Sequence, residues 1–286
     1  MTEESQRLLD VARALVARCP IDLGGEVAVT GSVGAGLADK LSDIELLFLV
    51  TPVPSVERVQ EWLHGVPGAD DVMVWSEGGD VSAWFRLGDV EVDPYWGSLD
   101  EAVEQVAEIT SGAVVEHRRI AFGHVLRHSA FVRTSGVLPE LAQRCAVYPV
   151  GLKERLIADA LWLWAIPAAR VGAVVRGDAV EARSWLQRDA EMILRLVFAL
   201  NEHWEPPRWK WLRMFARDLS ITPPRLVERL EDALLTPDLG AASSGLAELA
   251  LDVLMLLPPN LARKRAQRGL EIRIAALALE TAEVGR

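Results

Sequence analysis

The sequence predicts an α+β protein, with a mixed-sheet domain over residues 1–138 followed by an all-helical bundle over 139–286. Three observations predict it. Between residues 26 and 96 short apolar segments alternate with polar positions and are separated by Gly78-Gly79 and Gly88-Asp89, the pattern of strands joined by tight turns. Beyond Pro139 the pattern lengthens into runs whose apolar residues recur three and four apart, as in packed helices. Charge divides the same way: residues 1–150 hold 23 acids and 11 bases, the remainder 18 and 19.

Taken in order, residues 4–18 form a helix with Leu8, Leu9, Ala12, Leu15 and Val16 on one stripe. Gly24-Gly25 breaks the chain before a strand at 26–30, and a second strand follows at 44–50, ended by Pro52 and Pro54. Ser55 caps a helix over 56–64. Strands at 72–75, 81–87 and 90–96 come next. The segment 98–109 opens with a Ser followed three residues later by an acid, a capping box. Extended segments near 119–133 are expected to close this domain. The second domain reads as helices over 152–175, 179–204, 222–235, 240–256 and 260–283.

Composition narrows the function. The 286 residues are 50% apolar and 25% charged, which suits a well-folded chain with a large core. Cys19 and Cys145 have no metal-ligand spacing, so neither a zinc site nor a disulfide framework is expected. The N-terminus lacks a signal-peptide layout, and no run of about 18 apolar residues occurs. A cytoplasmic location without membrane contact is therefore expected. The net charge of −11, with its acid excess in the first half, argues against a broad nucleic-acid surface. It favours a site for metal cations or a cationic substrate.

The stretch GSVGAGLADKLSDIELLFLV, residues 31–50, concentrates the candidate chemistry. A Walker A loop needs Lys and then Ser or Thr after its last Gly, but Leu37-Ala38 stand there. The spacing of Gly31, Gly34 and Gly36 does not make a dinucleotide fingerprint either. The acids fit better. Asp43 and Glu45 stand two apart at the mouth of a strand and share one face, and side-by-side carboxylates repel unless a cation sits between them. Oxygen ligands of this kind suit Mg²⁺. In VEVDPYW, Glu91 and Asp93 share a face in the same way. If that strand lies beside 44–50, either one completes a three-carboxylate cluster able to hold two ions. Asp93 is favoured because Pro94 follows it, and the acid that does not bind metal becomes the candidate general base.

The run Gly31-Ser32, then Asp43-Ile44-Glu45, then an acid on a later strand resembles the nucleotidyltransferase superfamily. That superfamily includes DNA polymerase beta and the aminoglycoside and lincosamide nucleotidyltransferases. The resemblance covers roughly residues 20–110. It implies that Gly31 and Ser32 grip a phosphate and that Asp43, Glu45 and Asp93 hold Mg²⁺, as two ions. It further implies that a nucleoside triphosphate, with ATP expected, is the co-substrate. A second stretch, LRLVFALNEHWEPPRWKWL at 194–212, resembles the helical domain attached to small bacterial members, and by that analogy Lys210 reaches the triphosphate across a cleft. The Arg that often follows the family's Gly-Ser turn is missing here, where Val33, Gly34, Ala35 and Gly36 stand. Triphosphate contacts would then fall to backbone amides, Lys40 or the second domain.

The expected reaction is Mg²⁺-dependent transfer of a nucleoside monophosphate to a hydroxyl of a small acceptor, with pyrophosphate leaving. A cationic aminoglycoside-type antibiotic is the favoured acceptor, an activity of the antibiotic-resistance kind. Two alternatives stay open: a toxin modifying RNA or protein, and a nucleotide-binding module without turnover. His117, His124 and His128 are read as structural residues in sheet-like segments, and Trp162, Trp164 and Trp185 as helix core.

Overall fold

The computed structural model describes residues 1–284, with side chains through residue 279. The chain divides into two compact units, Met1–Pro149 and Val150–Arg286. The first begins with α1 (Glu3–Arg18), whose first turn is held by the Thr2 hydroxyl accepting from the Ser5 amide at 3.0 Å. Then come β1 (Glu26–Val29), the single turn α2 (Gly31–Gly34), β2 (Ile44–Val50) and α3 (Val56–His64). The strands β3 (Ala69–Glu77), β4 (Asp80–Leu87) and β5 (Val90–Ser98) follow, then α4 (Leu99–Thr110), α5 (His117–His128), β6 (Ala130–Arg133) and α6 (Val137–Arg144). Ser55 and Ser98 cap α3 and α4, each hydroxyl accepting from the amide three residues on at 3.3 Å, as the sequence predicted.

The six strands form one mixed sheet in the order β3-β4-β5-β2-β1-β6. Only β2 and β5 pair in parallel; the other neighbours are antiparallel. Alternation sorts the side chains of the central strands into two sets. Ile44, Leu46, Phe48, Val92 and Trp96 join the buried core with α1 and α3. Phe48 stacks on its register partner Trp96 with centroids 4.7 Å apart, and Trp62 of α3 packs edge-on to both. The indole N–H of Trp96 donates to the Leu23 carbonyl at 2.8 Å, so the largest core side chain leaves no polar atom stranded. The other face carries Glu45, Leu47, Leu49, Asp93, Tyr95 and Gly97, and there the site is built.

The second unit contains α7 (Val150–Trp164), α8 (Ala168–Val175), α9 (Ala179–Leu200), the short α10 (Leu212–Phe215), α11 (Leu226–Leu235), α12 (Leu239–Met255) and α13 (Leu261–Val284). Leu186, Ile193 and Val197 of α9 and Leu246, Leu249 and Val253 of α12 lie in its core. Among the described residues no single helix is long and apolar enough to cross a membrane.

Three expectations are corrected. The segment near 119–133 is mostly helix: Ile120, Ala121 and Leu126 of α5 are buried at helical spacing, but flanking His and Arg dilute the period. The long helix expected over 152–175 is two, because Pro167 has no N–H to continue the ladder. α6, inside the first unit, is tied to the sheet. The buried Glu26 carboxylate of β1 accepts from the Leu138 amide at 3.0 Å and the Ser135 amide at 2.6 Å. Of the tryptophans read as core, Trp164 is buried but Trp162 is 68% exposed.

Candidate active site

The parallel pairing of β2 with β5 sets Ile44 beside Val92 and Glu45 beside Asp93. Strands in a sheet lie about 4.8 Å apart, so two carboxylates at one register position stand shoulder to shoulder. Asp93, not Glu91, is therefore the neighbour of Glu45. Glu91 lies one alternation back on the same face, an exposed residue whose register partner on β4 is Arg86.

The start of β2 faces the Gly31-Ser32 turn. The Thr30 amide donates to the Glu45 carbonyl at 2.9 Å, and the Thr30 hydroxyl lies 3.5 Å from Glu45 Oε2. Gly31 has φ +58°, and a Cβ there would overlap the Glu45 carboxylate. Only glycine fits both demands. Next to it, Ser32 is 7% exposed and its hydroxyl has no hydrogen-bond partner among the described residues. A buried hydroxyl without a partner costs free energy, and here it sits in the turn expected to grip a phosphate.

A cavity of about 560 Å³ opens on this face of the sheet. Its floor includes Glu45, Leu47 and Leu49 of β2 with Asp93, Tyr95 and Gly97 of β5, and α4 and α5 wall it with Glu101, Gln105, Phe122 and Val125. Trp75, Glu77, Asp80 and Ser82, from the β3-β4 hairpin, form the remaining rim. Among the described residues five carboxylates line it and no Lys or Arg does.

The other expected residues lie apart from this lining. Asp43 is half-buried just before β2. Among the described residues no three His, Cys, Asp or Glu side chains are grouped so as to hold a metal ion. In place of the expected three-acid cluster the protein presents the Glu45 and Asp93 pair, with Asp43 two residues upstream. Lys40 is exposed on the loop after α2; Glu4 of α1 is held below the usual carboxylate range first by its hydrogen bond from Arg7 and, to a lesser degree, by the charge of Lys40. Lys210 is an exposed turn residue of the second unit. His124 and His128 are one helical turn apart on α5, their rings stacked with centroids 4.2 Å apart, not in strands as expected.

Residues 104–212 match a family model described as a domain of unknown function, DUF4037. That is less than half of the chain. Comparison with curated proteins finds no match. Among solved structures the chain is similar to a nucleotidyltransferase-like protein from Exiguobacterium sibiricum, at 14% identity and a TM-score of 0.37. The match covers 98% of this chain and 79% of that one.

Sequence reasoning missed the rim. Trp75, Glu77 and Asp80 carried no motif, although Trp75 and Glu77 keep the period-two spacing of one strand face, and Glu101 was read only as the acid of a capping box. Tyr95, two residues after Asp93, donates its hydroxyl to the Asp80 carboxylate. Burial first, then the hydrogen bond to Asp80 and that carboxylate's charge, push its phenol far above the usual range, so it stays protonated and keeps Asp80 in place.

Proposed function

We propose that this protein transfers a nucleoside monophosphate from a nucleoside triphosphate, with ATP the expected donor, to a hydroxyl of a small molecule, releasing pyrophosphate. One observation carries the reading: Glu45 and Asp93 are register partners on parallel strands, with the Gly31-Ser32 turn packed against Glu45. The residues fit the groups the reaction needs. Paired carboxylates suit a hard cation, and the orphaned Ser32 hydroxyl and the Gly31 backbone suit a phosphate oxygen.

Glu45 and Asp93 would hold Mg²⁺, expected as two ions, with Asp43, two residues upstream, proposed to turn in as a further ligand when the metal is bound. The metal's chemistry is to offset charge on the triphosphate and acidify the attacking hydroxyl. Gly31 and Ser32 bind phosphate oxygens. Lys40 is the proposed cationic contact to the triphosphate. Glu91, on the same strand face as Asp93, takes the proton of the acceptor hydroxyl. The bond from that oxygen to the α-phosphorus forms as the bond from α-phosphorus to the bridging oxygen breaks. An RNA acceptor is disfavoured by a cavity lined with five acids and no base; an aminoglycoside-type antibiotic is favoured by the same feature.

The test is a screen of aminoglycosides, lincosamides and tRNA with ATP and Mg²⁺, reading pyrophosphate release and mass gain on the acceptor. Adenylylation of a small acceptor, abolished by Asp43→Asn, is expected. Turnover that survives Asp43→Asn places the site elsewhere, and no pyrophosphate from any combination overturns the reading.

A further inference from the structure

We infer that Ser5 and Thr2, at the start of α1, are positioning residues for the phosphate-binding turn: they hold the return segment 36–38 so that Ser32 and Lys40 keep their places. The inference rests on the transferase reading for what the turn binds. Ser5 continues the buried stripe of Leu8, Leu9, Ala12, Leu15 and Val16 and is itself fully buried. An apolar side chain would suit that place, whereas a hydroxyl there needs partners. Its partners lie outside the helix. The Ala38 amide donates to Ser5 Oγ at 2.8 Å, and the Thr2 hydroxyl donates to the Ala38 carbonyl at 2.8 Å. Thr2 Oγ1 also accepts from the Ser5 amide at 3.0 Å and lies 2.8 Å from Ser5 Oγ. The one hydroxyl proton of Thr2 is committed to Ala38, so Ser5 is the donor between the two side chains.

A helix cap needs only the bond from the Ser5 amide to Thr2. The rest of the ring does for Ala38 what a neighbouring strand would do, pairing both backbone polar groups of a buried residue with side chains of α1. The Thr2 amide adds a bond to the Gly36 carbonyl at 3.1 Å. Between these anchors the Leu37 amide donates to the Ser32 carbonyl at 2.8 Å, and the Gly36 and Ala35 amides donate to the Val33 and Gly31 carbonyls, each at 3.1 Å. α1 is thus linked to the Gly31-Ser32 turn through Leu37, and Lys40 follows two residues beyond Ala38. Without the Ser5 hydroxyl the buried Ala38 amide loses its partner, and the segment must shift to find another. The Leu37 bond passes that shift to Ser32. Ser5 and Thr2 act through the turn, not on the substrate.

The experiment compares the full natural chain with Ser5→Ala, Thr2→Val, Thr2→Ser and Leu15→Ala. Calorimetry measures binding of the Mg²⁺ complex of α,β-methylene-ATP, an analogue that cannot be cleaved at the α-phosphate. Pyrophosphate release with the acceptors of the screen above gives KM and kcat for ATP, and hydrogen exchange follows the amides of residues 33–40. Ser5→Ala and Thr2→Val are expected to weaken analogue binding and raise KM roughly threefold to tenfold, the range for one buried hydrogen bond lost, with kcat little changed. Exchange should quicken at 33–40 but not in β2 or β5. Thr2→Ser, which keeps the hydroxyl, should restore the natural values. Leu15→Ala, about 15 Å further along α1, should lower the melting temperature and leave analogue affinity alone. Affinity unchanged in both Ser5→Ala and Thr2→Val, or weakened equally by Leu15→Ala, overturns the positioning role. Thr2 is exposed, so Thr2→Val reads the same ring if Ser5→Ala does not fold. Binding weakened in Ser5→Ala with no pyrophosphate from any acceptor supports the inference and overturns the transferase reading. An analogue that the natural chain does not bind overturns both.

Discussion

The Glu45 carboxylate lies against Gly31 so closely that no other residue fits there without displacing it. Gly31→Ala brings two penalties. A residue with a Cβ at φ +58° costs about 1–2 kcal/mol, and the new methyl pushes the Glu45 carboxylate from its place beside Asp93. Misplacing a reacting group by about 1 Å can cost on the order of 100-fold in rate. We expect a small fall in melting temperature with pyrophosphate release reduced by that factor or more. A variant with the same melting shift and full activity would mean that the position of Glu45 does not matter to turnover.

Asp93 and Glu91 share a strand face, but only Asp93 stands in register with Glu45. Asp93→Asn should therefore reduce Mg²⁺-dependent pyrophosphate release by at least about 100-fold. Raising the Mg²⁺ concentration should partly restore it, since a weakened ligand set is refilled by mass action. Glu91→Gln should respond differently: if that carboxylate takes the acceptor proton, its loss lowers the rate without changing the Mg²⁺ concentration needed. Titrating both variants with Mg²⁺ separates the roles, and a shifted Mg²⁺ requirement in Glu91→Gln would reverse them.

How much of this was legible depended on whether the information was local. The strand that carries Glu45 was readable because its apolar run and alternation are local, whereas Asp43 lies just before β2 and outside that alternation. The capping serines Ser55 and Ser98 act within one turn, so they too could be read. The choice between Asp93 and Glu91 could not, because it depends on a parallel register between strands separated by a helix and two further strands. The same holds for the acids of the rim, which come together only when the β3-β4 hairpin and α4 approach the same cavity. Helix α5 was misread for another reason. Its burial is partial, with His124 inside and His128 outside, so the apolar stripe that marks a helix is interrupted by polar residues.

Glu26 predicts an acid-sensitive attachment of α6 to the sheet. Burial raises its pKa, but hydrogen bonds from Ser135, Thr134 and the Leu138 amide outweigh this and leave it below its ordinary value of 4.5. A group depressed on folding stabilises the native state above its unfolded pKa, and the contribution disappears as the pH falls through the folded value. The charged carboxylate's contribution should therefore be complete above pH 4.5 and decline below it. Urea unfolding of the natural chain and Glu26→Gln at pH 7 and below pH 4 measures this. The gap between them should narrow in acid; a gap independent of pH would show that the charge of Glu26 plays no part.

In the second unit Asp189 of α9 sits between two buried guanidiniums. The Arg170 Nε lies 3.0 Å from both carboxylate oxygens, and Arg273 Nη1 donates to Oδ2 at 2.5 Å. Arg273 also donates to the Ser243 hydroxyl at 2.9 Å, and the Trp185 ring lies 4.5 Å from the Arg170 guanidinium carbon. One carboxylate thus offsets two cations, and burial lowers the pKa of Arg273 in spite of its attraction to Asp189. Removing the carboxylate leaves both cations buried without an anion, which costs about 3–5 kcal/mol. Removing Arg273 leaves Arg170 and Asp189 as a balanced pair, and it also deletes Nη2, which has no hydrogen-bond partner among the described residues. Asp189→Asn should therefore destabilise the protein far more than Arg273→Met, although the second substitution changes more atoms. Urea denaturation followed by circular dichroism reads the order directly. If Arg273→Met proves the more damaging of the two, packing and not charge balance governs this cluster.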